Sequence, residues 1–279
     1  MRDKSMTTLQ EFKNKQLEIL HELDRVCNKA GINYYLAYGT CLGAVRHKGF
    51  IPWDDDIDVS MPRPDYDKLI ALHKRGIRIS NDCYLLSAET DGRFNGYIPQ
   101  VVCRKSKMLS GQYREKEELK IGLSIFVYDG LPKHEFGRKL YLKKMYILRS
   151  MHALCRANFQ NVNTKIAKKV GPLLQPLFKS GNTKRYRNKV LLNAKRYVYQ
   201  ESVYVAPNAD ASASKELVKR EIYERAIELE FEGIKCYAAS NYEEHLRKYY
   251  GDYMQLPPVE ERKAKHGFDA WIEEGFITD

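Results

Sequence analysis

None of the six cysteines, at positions 27, 41, 83, 103, 155 and 236, belongs to a C-x-x-C pair, and the sequence has no His/Cys cluster at zinc-ligand spacing. A structural zinc module is therefore not encoded, and the thiols are expected to be reduced and mostly buried, with Cys41, in a glycine turn, the candidate for an activated thiol. No apolar run approaches the roughly 20 residues of a spanning helix, and Met1–Ser5 is polar and lacks the apolar core of a signal peptide. The expectation is a cytoplasmic enzyme. There is no internal repeat and no low-complexity tract. Acid is scarce in one place only: from Lys133 to Arg196 a single acid, Glu135, stands among seventeen Lys and Arg, so this stretch carries +16 of a total +11 and leaves −5 for the rest. A partner attracted by positive charge must meet the middle of the chain.

What remains is a 279-residue globular sequence, 43% apolar and 30% charged. Leu9, Phe12, Ile19, Leu20, Leu23, Val26 and Cys27 step by three and four, interrupted by the polar Gln16. Thr8 with Glu11 forms a capping-box pattern and Gly31 a stop, which predicts an amphipathic first helix. A short strand over Ile32–Tyr38, ended by Gly39-Thr40, and a short helix over Cys41–Arg46 follow. Ile57, Val59 and Met61 alternate with Asp56, Asp58 and Ser60, which predicts a half-buried strand showing both acids on one face. Pro64-Asp65 opens a helix to about Lys74. Further strands are expected at Cys83–Ser87, Ile98–Cys103 and Leu123–Tyr128, then one strand at Leu229–Tyr237 and a helix at Tyr242–Tyr250. The fold class is α/β (α+β): a small mixed sheet flanked by helices, followed by a largely helical basic part. The expected divisions are a catalytic core over 1–132, a basic helical region over 133–228, and a C-terminal segment, 229–279, packing back on the core.

Two carboxylates at i and i+2 on a strand stay ionised together when a cation compensates them. Oxygen ligands favour Mg²⁺ or Mn²⁺, and Mg²⁺ is typically shared with substrate phosphates, so Asp56 and Asp58 point to phosphoryl chemistry. Asp54 reads as a turn cap and Asp55 as pointing off the shared face, with metal ligation as the alternative for both, while Trp53 reads as a loop anchor, with stacking on a base or choline as the alternative. Gly39 and Gly43 let backbone approach a ligand, the following helix start offers amides to an anion, and Arg46, His47 and Lys48 add positive charge.

The segment GTCLGAVRHKGFIPWDDDIDVSMPRPDYDKL resembles the signature of the LicD family, bacterial enzymes of the nucleotidyltransferase superfamily that also resemble the fukutin-related sugar phosphotransferases. Phe231-Glu232-Gly233, Tyr249–Met254, Leu256-Pro257-Pro258 and His266 resemble the family's C-terminal pattern. The resemblance implies a nucleotidyltransferase-type sheet and transfer of phosphocholine, or a related substituted phosphate, to a sugar hydroxyl of a cell-surface glycopolymer precursor such as teichoic acid. CDP-choline or a similar CDP-linked molecule would be the donor and a lipid-linked oligosaccharide the acceptor. It makes Asp56 and Asp58 the metal ligands and gives Gly39, Thr40 and Arg46 the donor phosphates. The family also supplies a third acid in a stretch resembling I-D-I-F-P-x-D. Here Ser124 occupies that place in Leu123–Asp129, so another residue activates the acceptor, activity has been lost, or the register is shifted; His266 has the chemistry of a general base.

In the basic middle, Leu140, Leu142, Tyr146, Ile147 and Leu148, then Leu173, Leu174, Leu177 and Phe178, interleave with lysines. This suits an amphipathic surface on an anionic membrane, and with it a peripheral position at the inner face of the cell membrane. The alternative is a core face with solvated cations. Tyr34-Tyr35 and Tyr249-Tyr250 are candidates for an aromatic cage around a quaternary ammonium. Two other functions remain open: nucleotidyl transfer to a small molecule or nucleic acid, for which no RNA-binding module is visible, and an inactive scaffold, for which Ser124 is the support.

Overall fold

The computed structural model describes residues 8–109, 113, 118–159, 165–262 and 269–272. Helix α1 (Leu9–Ala30) begins with the reciprocal capping box of Thr8 and Glu11 and ends at Gly31, whose φ of 61° is the left-handed conformation that glycine adopts without penalty. From Phe12 onward its apolar stripe lies buried in the main core, while Leu9 is exposed. A two-residue strand, β1 (Tyr35–Leu36), leads into α2 (Tyr38–His47), so Gly39 and Thr40 form the first turn of the helix instead of a turn before it. Next come β2 (Asp58–Pro62), α3 (Arg63–Lys74), β3 (Cys83–Leu86), β4 (Gln100–Cys103), β5 (Ser106–Leu109), β6 (Glu118–Leu119) and the long β7 (Gly122–Gly130).

The basic part supplies α4 (Glu135–Arg156), α5 (Lys165–Leu174) and α6 (Thr183–Ala194), then the short strands β8 (Tyr204–Ala206) and β9 (Val218–Lys219). The chain ends in β10 (Ala226–Phe231), β11 (Ile234–Ala239), α7 (Tyr242–Tyr250) and β12 (Asp269–Ile272). The expected single strand at Leu229–Tyr237 is thus a hairpin. Glu232 and Gly233, both at positive φ (50° and 76°), form the tight two-residue turn that matches strand twist.

The main sheet runs β1-β2-β7-β4-β3, with β8 on the far end of β7 and β9 on β8. β2 and β7 pair in parallel at its centre, a pairing that needs a long crossover, here α3 and the four strands β3 to β6, and the other pairs are antiparallel. It is a curled mixed sheet flanked by helices. Phe231, Cys236, Ala238, Leu246 and Tyr253 join the core beneath it, so the C-terminal hairpin and α7 share the interior of the N-terminal half. A second cluster, around Leu131, Met145, Val190 and Ala194, holds α4 and α6 together. All six cysteines are buried free thiols. Burial pushes the Cys41 thiol up to about 12, which removes it as a nucleophile. Among the described residues no helix is long and apolar enough to cross a membrane.

Candidate active site

β2 begins at Asp58, so Asp54, Asp55 and Asp56 lie in the loop before it. Their side chains offer carboxylate oxygens within 4.8 Å of one another, a spacing that suits shared ligation of one divalent cation. The loop's shape is dictated from α1. Gln16, fully buried, donates from Nε2 to the carbonyl of Asp55 and accepts at Oε1 from the Ile57 amide at 2.7 Å. One polar side chain thereby satisfies two buried backbone groups where the ladder of β2 has not yet started. The interruption in the apolar stripe of α1 was the visible sign of this residue. One turn away the buried Lys13 donates to the carbonyl of Pro52 at 3.3 Å. Burial lowers its pKa, while Asp54, Asp55 and Glu232 oppose that shift, so its positive charge is aimed at the acidic loop.

Asp58 is half-buried at the head of β2, and its amide donates to Thr40 Oγ1 at 2.9 Å. In the parallel register Asp58 stands beside Ser124, which in turn stands beside Gln100. The position next to Asp58 is therefore held by a serine. Asp129 does not replace it: it is buried further along β7 and accepts from Arg63 Nε and Nη2 at 2.6 and 2.9 Å. Asp54 approaches from the other side, where a Cβ on Gly39 would run into its Oδ2. Glycine at 39 is what allows acid and helix start to meet.

The residues expected to hold phosphate are divided by α2. Gly39 and Thr40 lie in its first turn, which has no side-chain cap, next to the acids. Arg46 and His47 end it and Lys48 follows, seven or more residues and about 10 Å along the axis from Gly39. Arg46 donates from Nη1 to the carbonyls of Tyr253 (2.8 Å) and Gln255 (3.1 Å), fastening the C-terminal segment; burial and the charge of Arg262 lower its pKa. Burial, then Arg46, also lowers the pKa of His47, which meets Trp53 edge-on with centroids 6.3 Å apart. Trp53 packs against the core beneath the Arg262 guanidinium. Lys48 is exposed, and its carbonyl accepts from the Glu232 amide at 2.8 Å while Glu232 Oε1 accepts from the Phe50 amide at 2.9 Å. Phe231-Glu232-Gly233 and the residues around Gly49 are thus two sides of one joint. His266 lies outside the described residues.

Tyr34 and Tyr35 are buried, their hydroxyls donating to Asp24 and to the carbonyl of Tyr223, so they form core and no cage. The aromatic wall beside the acids comes from elsewhere: Tyr38 lies 4.6 Å from Phe126 and 5.9 Å from the exposed Tyr249, which lies 5.0 Å from Tyr250, between ring centroids. Burial raises the phenols of Tyr38, Tyr249 and Tyr250, and the Asp58 carboxylate adds to the rise at all three, which sets this wall within electrostatic reach of the site.

Residues 31–137 match the family model described as LicD/FKTN/FKRP, nucleotidyltransferase domain. Over 268 residues, 95% of this chain and 98% of the relative, the sequence is 28% identical to the lipopolysaccharide cholinephosphotransferase LicD of Haemophilus influenzae. It is 26% identical over 121 residues to the human ribitol-5-phosphate transferase FKTN, spanning 35% of this chain and 26% of that one. An uncharacterized Rickettsia prowazekii protein, RP689, matches over 131 residues at 28% identity, covering 46% of this chain and 45% of its own. The matched stretch contains the first turn of α2, the three-aspartate loop, Asp58 and Ser124, so the geometry and the family model fall on the same residues. Residues 31–137 thus match the LicD family's domain, and the similarity to the Haemophilus influenzae relative extends over nearly the whole chain.

Proposed function

We propose that this chain transfers phosphocholine, or a related substituted phosphate, from a CDP-linked donor to a sugar hydroxyl of a cell-surface glycopolymer precursor such as teichoic acid. The observation that carries the reading is the meeting of the Asp54–Asp56 carboxylates with the uncapped first turn of α2 at Gly39-Thr40. Asp56 and Asp58 are the proposed ligands of a Mg²⁺ or Mn²⁺ ion, with Asp54 taking the part of the acid that Ser124 does not provide. Such an ion would neutralise the donor diphosphate and ease departure of CMP.

The chain's own groups do the rest. Amides of the α2 first turn face the donor's phosphate oxygens, where the helix dipole favours negative charge. Arg46, His47 and Lys48, at the other end of the same helix, reach a more distant part of the donor or an anionic acceptor. The acceptor oxygen forms the new P–O bond as the bond to CMP breaks, and His266 is the proposed recipient of the acceptor's proton. Tyr38, Phe126 and Tyr249 would receive the donor head group, since ring faces beside carboxylates favour a quaternary ammonium. A lipid-linked oligosaccharide acceptor places the reaction at the inner face of the cell membrane.

The test is product analysis. Purified protein, Mg²⁺ and a disaccharide acceptor are incubated with CDP-choline, CDP-ribitol or CTP. CMP release that requires both a CDP-alcohol and the acceptor supports the reading. Pyrophosphate from CTP would instead mean nucleotidyl transfer, and no product from any donor would favour an inactive homologue.

A further inference from the structure

Helix α5 is amphipathic, yet its apolar side faces water. Ile166, Val170, Leu173 and Leu174 recur at helical spacing, Leu177 continues the stripe, and all five are exposed: Ile166 by 78%, Leu173 by 75% and Leu177 by 76%. The side turned toward the protein is held by a glycine. Gly171 is buried against the Phe159 ring, which a Cβ at that position would strike. Just past the helix, Gln175 Nε2 donates to the carbonyls of Leu154 (3.2 Å) and Ala157 (2.8 Å), anchoring it to the end of α4. The outward stripe is thus a consequence of how the helix is fastened.

α4 repeats the pattern. Tyr141, Met145, His152 and Cys155 are buried on one face. At about 100° per residue, Phe136, Leu140 and Ile147 fall together on another side of the helix, and all three are exposed. Lys139, Lys143, Lys168, Lys169 and Lys179 are exposed on α4, on α5 and just after it, within the stretch that carries +16.

Charge selects the occupant. A second copy would bring the same cations face to face with these, and an uncharged apolar partner would leave them uncompensated. A surface that takes apolar side chains to a shallow depth and presents dense negative charge satisfies both features. We propose that the outer faces of α4 and α5 form a docking surface for an anionic lipid bilayer, with Ile166, Leu173 and Leu177 entering the headgroup–acyl boundary and the lysines held at the phosphates. This stands on the exposed faces alone and does not depend on the reaction assigned to the active site.

The experiment is sedimentation of the full chain with vesicles of phosphatidylcholine alone or of phosphatidylcholine with phosphatidylglycerol. Two double variants are used, Leu173→Gln with Leu177→Gln, and Lys168→Gln with Lys169→Gln; every position is exposed, so the fold should be kept, with circular dichroism as the check. Wild type should bind the anionic vesicles and lose binding as salt rises. Each lysine removed should weaken partitioning about fivefold, and the leucine pair should weaken it by about tenfold or more. Equal binding to neutral vesicles, unchanged binding in either variant, or no vesicle binding together with self-association that the leucine variant abolishes would overturn the proposal.

Discussion

Replacing Gln16 with leucine isolates the contribution of one buried amide to the acidic loop. The side chain serves the carbonyl of Asp55 and the amide of Ile57, and it has no exposure of its own. Leucine fills similar space and makes neither bond, so a backbone acceptor and a backbone donor are left buried. At about 1–3 kcal/mol for each unsatisfied group, the expected loss of stability is about 2–4 kcal/mol once local relaxation is allowed for. The loop should also lose its register against α2, because Asp55 and Ile57 bracket Asp56. Equilibrium urea denaturation, followed by circular dichroism, should show a lower midpoint with an unchanged slope. Turnover, measured where the variant is fully folded, should fall with it. Wild-type stability and wild-type turnover in Gln16→Leu would refute the idea that α1 shapes the site.

Three other perturbations separate the remaining claims. Tyr249→Ala should raise KM for CDP-choline by about 2–30-fold, the range of one cation–π contact, and leave KM for CDP-ribitol unchanged; equal effects on both donors would remove the head-group role of the aromatic wall. His266→Gln should lower kcat and delete an ionisation near the ordinary histidine value of about 6.5 from the kcat/KM profile. An unaltered profile would exclude it as the base. Glu89 accepts from Lys195 at 2.9 Å; burial would raise its carboxyl, but the lysine's hydrogen bond and charge, with smaller help from the Glu89 amide and Ser87, hold it below the usual glutamate range. A depressed carboxyl stabilises the fold above its unfolded pKa, and that contribution is lost as pH falls through the folded value. The stability gap between wild type and Lys195→Met should therefore be present at neutral pH and close below about pH 4, as followed by urea titrations at both values.

Local signals in the sequence were read correctly where they are complete in themselves. The capping box at Thr8 and the stop at Gly31 fixed α1, and Tyr242–Tyr250 is helical as its spacing requires. In the structure Ser124 stands beside Asp58, at the place where the family resemblance, and no local signal, implies an acid. What was missed depends on contacts far apart in the chain. Alternation put Asp56 and Asp58 on one strand, but with Gln16 holding Asp55 and Ile57 the strand starts at Asp58, and Asp56 lies in the loop with Asp54 and Asp55. Gly39-Thr40 looked like a turn because glycine usually ends helices. Here it opens one, since Asp54 takes the space a side chain would fill. In the basic segment, periodicity marked the apolar stripes, yet only packing shows that Leu142 and Leu148 turn inward while Leu140, Leu173 and Leu177 do not.

The acidic loop and Asp58 are the groups proposed to serve phosphoryl transfer to a sugar. Phosphorus NMR of the reaction of CDP-choline with a disaccharide acceptor, run with wild type and with Asp56→Asn, tests that role most directly. Wild type should convert the diphosphate signals into CMP and a new phosphodiester on the sugar, and a folded Asp56→Asn protein should leave the donor intact. A phosphodiester formed equally fast by both proteins would contradict the account.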